Sequence, residues 1–289
     1  MSIYAASARF DTARPLTDEE MYRVAPSIFA ESAHESRSAK FAPIPTIMVL
    51  KALQKEGFHP VAVKQGRSRT PGKADFTKHL IRLRRLDNEQ AYKVGDNVLE
   101  MLLQNANDGT SQYDIMAGLF RVRCLNSLVA KTADIDSHKV RHSGNLTNVA
   151  RDVIEGTYTV LESAKALLAA PEAWGQIVLN REQRLAYAEA AHTLRFPTER
   201  ENAETHPIRP DTLLMTRRYD DEANDLWTTF NVVQENAIKG GLHGRSIEPT
   251  TRRGFRRVTT REIKGIDQDV KLNKALWMLT ERMAELAKA

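Results

Sequence analysis

The chain has 289 residues, enough for one large domain or two small ones, and its 42% apolar content can fill a substantial core. A charged fraction of 27%, with only 14 glycines and 11 prolines, excludes a fibre or a wholly disordered chain, and the net charge of +5 is mild for this length. A single cysteine, Cys124, excludes an intrachain disulfide and fits a reducing compartment.

Residues 1–40 are polar and read as a peripheral segment. Met1 to Phe10 lacks the charged-then-apolar layout of a signal peptide, and no run of 18 apolar residues occurs. A cytoplasmic protein without a membrane span is therefore expected. Thr17 and Glu20 have capping-box spacing and predict a short helix through about Ala30. Pro45 to Glu56 reads as a helix with Ile47, Leu50 and Leu53 on one face and Gly57 at its end.

The period then changes. Val61 and Val63 alternate within Phe58–Arg69, and Ile81 and Leu83 alternate with Arg82 and Arg84 within Phe76–Leu86. Thr70-Pro71-Gly72-Lys73 supplies a turn between these two strands. Val98 to Gln104 reads as a third strand, Asn107-Asp108-Gly109 as a turn, and Gly118 to Cys124 as a fourth strand.

After Gly144 the spacing becomes helical. Leu146, Val149, Val153, Val160, Ala164 and Leu167 share a face. A helix over about Arg181–Leu194 stops before Pro197, and another over about Asp221–Ile238 stops at Gly240-Gly241. Asp269 is placed to cap a last helix with Leu272, Leu276, Leu279 and Met283 inward. The layout is α+β: an antiparallel sheet of three to four strands, preceded by one helix and followed by several. Residues 41–289 read as a single domain, with a sheet core at about 58–125, a helical part at about 145–289 and a basic insert at about 240–265.

The charge is concentrated. Lys64, Arg67, Arg69, Lys73, Lys78, Arg82, Arg84 and Arg85 against Asp75 give +7 over Lys64–Arg85. Over Lys239–Lys264, eight basic residues against Glu248 and Glu262 give +6, so a chain total of +5 leaves −8 on the remainder. Concentrated positive charge on an acidic body is the footprint of a polyanion partner, against the plainer reading of solvated faces and loops. Alternate arginines on a strand project from one face, and their forks match phosphate oxygens. Arg82 and Arg84 have this spacing, and Arg121 and Arg123 are expected to extend the same face. In the second segment Arg252, Arg253, Arg256 and Arg257 flank Gly254 and Phe255, a ring suited to stacking on a base. Arg141 and His142 are expected to join the anion-binding surface.

Asp134, Asp136, His138 and His142 have the spacing of a metal cluster, but Lys139 and Arg141 among them oppose a cation, and no metal is expected. Cys124 reads as a buried structural thiol rather than a nucleophile. No GxSxG, P-loop, GxGxxG or HExxH pattern occurs, so no enzymatic activity and no cofactor are expected. Trp174, Trp227 and Trp277 read as core or interface anchors.

Five stretches resemble the phage- and plasmid-borne "domain of unknown function 932" family: His79–Arg84, Ala117–Leu128, Val140–Gly144, Leu226–Asn236 and Lys271–Trp277. The resemblance spans about 45–285 and departs at Ser127, where the family more often has glycine. The family hands over no catalytic residues. In layout, residues 45–170 are also similar to single-strand annealing proteins, the phage Red-beta-like recombinases and the eukaryotic strand-annealing recombination mediator. That likeness implies a ring or filament of identical chains that binds single-stranded nucleic acid, DNA in preference, and anneals it during recombination. A protein-binding anti-restriction or defence-modulating factor is the alternative.

Overall fold

The computed structural model of the chain describes residues 14–36, 45–68, 70–86, 96–121, 138–141, 146–197, 206–247 and 254–287. Their backbone contacts fall into two compact units, residues 14–121 with 138–168, and residues 169–287.

The first unit opens with α1 (Asp18–Val24), whose capping box is complete: Glu20 N–H donates to Thr17 Oγ1, and the Thr17 N–H donates to the Glu20 carboxylate. The helix stops at Val24 rather than near Ala30, because Pro26 starts a 3-10 turn over Pro26–Phe29. Helix α2 (Thr46–Lys55) buries Val49, Leu50 and Leu53, and Gly57 ends it at φ +85°. Five antiparallel strands follow in spatial order: β1 (Phe58–Gln65), β2 (His79–Arg85), β3 (Asn97–Asn105), β4 (Tyr113–Arg121) and β5 (His138–Val140). Sequence alternation starts the fourth strand at Gly118; the ladder starts it at Tyr113, because Gln104 pairs with Asp114 beside the Asn107–Gly109 turn. Helix α3 (Leu146–Ala164) packs on β3, β4 and β5, burying Val149, Val153 and Val160.

Register assigns the two faces of the sheet. His79 on β2 contacts Thr46 at the start of α2, with Nε2 3.0 Å from Thr46 Oγ1. Asn105 on β3 donates to the same hydroxyl at 2.8 Å. The helix-side face therefore carries His79, Ile81 and Leu83 of β2 and, through continuous pairing, Met101 and Leu103 of β3 with Ala117, Leu119 and Arg121 of β4. The opposite face carries Leu80, Arg82 and Arg84, with Glu100 and Phe120 across from them.

The second unit is built around α6 (Leu226–Lys239), which is buried on every side from Leu226 to Ile238. A helix this enclosed belongs to the centre of its unit. Helices α4 (Ala170–Gly175), α5 (Arg181–Arg195) and α7 (Ile266–Leu286) surround it. The three tryptophans form its core with Phe230: Trp174 lies 4.5 Å from Trp277 and 6.1 Å from Trp227, ring centre to ring centre. Helix α7 starts at Ile266 after Gly265, ahead of the expected cap. Asp269 is instead buried in the first turn, where its carboxylate accepts from Asn273 Nδ2. Between α6 and α7 the basic insert forms two antiparallel strands, β6 (His243–Ile247) and β7 (Phe255–Thr259). Among the described residues no helix is long and apolar enough to cross a membrane.

Candidate nucleic-acid interface

The shared cationic face expected of Arg82, Arg84 and Arg121 does not form. Arg82 and Arg84 do share a face, but Glu100 stands across from them and takes both. Arg82 Nε donates to Glu100 Oε2 at 2.6 Å, and Arg84 donates to Oε1 from Nε at 3.0 Å and from Nη2 at 2.5 Å. Arg82 is 8% exposed, Arg84 7% and Glu100 1%, and the Arg82 guanidinium lies 3.6 Å from the centre of the Phe120 ring. Arginines buried in this way are committed to a carboxylate and a ring rather than to a solvent-borne phosphate. Arg121 pairs with Asn97 and so projects to the other, helix-side face. The sequence pattern could not show this, because alternation gives the parity of a strand and not what lies across from it.

The rest of the first basic segment is dispersed. Lys73 lies 3.8 Å from the buried Asp108 carboxylate. Lys64 and Lys78 are half-buried, and Arg67 is exposed. Arg85 is exposed, with its guanidinium 5.8 Å from the centres of the Phe58 and Tyr158 rings. Arg141 is exposed and lines an open cleft of about 350 Å3 with His138, Lys139, Asp152 and Glu155. Arg69, Arg123, His142, Arg252 and Arg253 lie outside the described residues, as do Cys124, Asp134 and Asp136.

The second basic segment has the more ordered geometry. In the β6–β7 hairpin Arg245 is directly opposite Arg257, Ile247 opposite Phe255, and His243 opposite Thr259. These six residues share one face, and all but the half-buried Phe255 are exposed. The Arg245 guanidinium lies 4.9 Å from the centre of the Phe255 ring, a diagonal cross-strand contact. Arg256 belongs to the other face of the hairpin and is also exposed. Like charges placed directly opposite destabilise a ladder. A surface that keeps Arg245 and Arg257 in register is suited to an anion bridging the pair. Sequence reasoning counted Arg245 but missed its partnership with Arg257. The signal was present in the alternation of His243, Arg245 and Ile247, and of Phe255 and Arg257.

The hairpin is anchored at its base. Gly240 and Gly241 adopt φ of +67° and +80° to turn the chain out of α6. Arg195 of α5 donates to Ala237 O at 2.7 Å and to Arg261 O at 2.9 Å, tying the end of α6 to the strand leaving β7. Arg217 donates to Asn236 Oδ1 and to Gly240 O. The Arg245 N–H donates to Pro207 O at 3.0 Å, and a Cβ at Gly244 would overlap that carbonyl. Lys239 is spent elsewhere, 2.6 Å from Glu235. Burial alone would raise the Glu235 carboxyl, but Arg218 and Lys239 outweigh it and hold the group below the ordinary carboxylate range.

Comparison with known proteins agrees with the sequence resemblance. A family model described as a domain of unknown function, DUF932, matches residues 33–277. The chain belongs to the DUF932 family. Two Escherichia coli K12 relatives match this chain over nearly its whole length. UPF0380 protein YafZ is 43% identical and UPF0380 protein YfjQ 42% identical, each over 270 residues, covering 93% of this chain and 92% of the relative. No solved structure gives a significant match. The DUF932 match includes the whole hairpin and both of its anchoring arginines, Arg195 and Arg217.

Proposed function

We propose that this chain is a non-enzymatic protein that binds single-stranded nucleic acid, DNA in preference, without sequence selection, and holds it for annealing in the recombination of a phage or plasmid. The observation that carries this reading is Arg245 standing directly opposite Arg257 on an exposed face beside Phe255. Paired guanidinium groups engage backbone phosphates, and the ring supplies a stacking surface that every base can use. Neither contact reads a base edge, so binding is sequence-tolerant. Arg256, Arg257, Arg252 and Arg253 give the hairpin and its connection the positive charge that steers a polyanion. Annealing requires two strands held together, and a homo-oligomer aligning several hairpins provides that.

The test is electrophoretic mobility of a mixed-sequence oligonucleotide, single- and double-stranded, with the purified chain. Retardation of the single strand at lower protein concentration than the duplex supports the proposal. Retardation of neither leaves the protein-binding, anti-restriction reading as the better one.

A further inference from the structure

We infer that Ile247 is a wedge that unstacks neighbouring bases of the bound strand, with Phe255 as the adjacent platform; this deepens the single-strand reading above and rests on it. Ile247 is 86% exposed, the most exposed large apolar side chain among the described residues. It sits at the outer end of β6, directly opposite Phe255, in the next pair on the same face after Arg245 and Arg257. Its face points away from the rest of the unit, because the other face carries Gly244 against Pro207.

A single exposed apolar residue is ordinary on a protein surface; Ile247 is informative because it stands with the Phe255 ring beside the Arg245–Arg257 pair. Charge complementarity names the occupant. The flanking pair is Arg245 and Arg257, and Arg256 lies on the reverse face, so the partner is anionic and must also present apolar surfaces. Single-stranded nucleic acid has both, phosphates along one edge and base faces along the other. Successive residue pairs on one face of a ribbon are about 7 Å apart, close to the phosphate repeat of an extended single strand. Holding a phosphate at Arg245 and Arg257 therefore brings the next base to Ile247 and Phe255. Apolar side chains pushed between base steps separate them, as proteins that kink DNA do. A strand held with bases separated and edges free is prepared for pairing with a complement.

The experiment uses the full chain and a single-stranded oligonucleotide carrying one 2-aminopurine between adenines, whose fluorescence rises when stacking is lost. Anisotropy of a second dye on the same oligonucleotide reports binding independently. The wild-type chain is expected to bind and to raise the 2-aminopurine signal. Ile247→Thr keeps a β-branched residue suited to a strand, so the hairpin is retained. That variant is expected to bind within about tenfold of wild type while losing the rise. Wild-type binding without a rise, or an equal rise with I247T, overturns the wedge alone. Absence of binding by the wild-type chain overturns the single-strand reading and the wedge with it. Binding of an acidic protein or a second copy at this face, with no effect of the oligonucleotide, does the same.

Discussion

Glu100 Oε2 accepts from Arg82 at 2.6 Å while its other oxygen accepts from Arg84 at 2.5 Å, so one buried carboxylate holds two guanidinium groups. Replacing the carboxylate by an amide removes its charge and one of its two acceptor oxygens, and turns an NH2 group toward a guanidinium in a site almost closed to water. Glu100→Gln is expected to destabilise the first unit by about 3–5 kcal/mol, measured as a shift in the urea midpoint by circular dichroism. Reversing Arg82 and Arg84 together to glutamate is expected to unfold this unit, because it would set three carboxylates against one another. A folded, stable R82E/R84E protein would contradict the burial of the triad.

The Arg245–Arg257 pair sets stability against binding. Arg257→Thr removes a like-charge opposition and places a good strand former in β7. Hairpin stability is expected to rise by about 0.2–1 kcal/mol while affinity for single strands falls. Hydrogen exchange of the β6–β7 amides checks the first effect and anisotropy the second. A loss of both would mean that Arg257 serves the fold.

Gly244 is where β6 touches the body of its unit. Gly244→Ala would press a methyl group onto the Pro207 carbonyl and displace the Arg245 N–H from it. A cost of about 1–3 kcal/mol is expected, concentrated in the hairpin, with single-strand affinity lost in parallel. Hydrogen exchange should show protection lost in β6 and β7 and retained in α6.

His192 gives the second unit a pH dependence. Burial lowers its pKa from the ordinary histidine value, the neighbouring His206 adds to this, and the hydrogen bond to Ile208 O at 2.8 Å opposes it. The folded state therefore binds its proton less readily than the unfolded state. The resulting stability is present above the unfolded pKa near about 6.5 and is lost as pH falls below it. Trp174, Trp227 and Trp277 are the chain's three tryptophans and all lie in this unit, so their fluorescence follows its unfolding alone. The urea midpoint is expected to fall on acidification from pH 7 to 5, and less so in His192→Gln.

Much of the fold was legible because its signals are local. The Thr17–Glu20 box, the Gly57 stop, the Asn107–Gly109 turn and the α5 boundary at Pro197 each follow from the chemistry of a few adjacent residues. Strand β5 was not legible, since three residues carry no measurable alternation. The hairpin was hidden for another reason: three arginines and a glycine interrupt its few apolar and β-branched residues, so charge masked the period. The candidate site was half legible. Composition marked both basic segments, but only pairing could show that Glu100 occupies Arg82 and Arg84 while Arg245 and Arg257 stand together on an exposed face.

The most direct measurement is the affinity of the full chain for a single-stranded oligonucleotide across a salt series, with wild type beside the double variant R245A/R257A. If each chain neutralises roughly three to five phosphates, log affinity falls with log salt at a slope of about −2 to −4, and the double variant, which loses the one phosphate bridged by the pair, is shallower by about 0.7. Affinity that ignores salt, or a slope that the double variant leaves unchanged, would contradict binding at the hairpin.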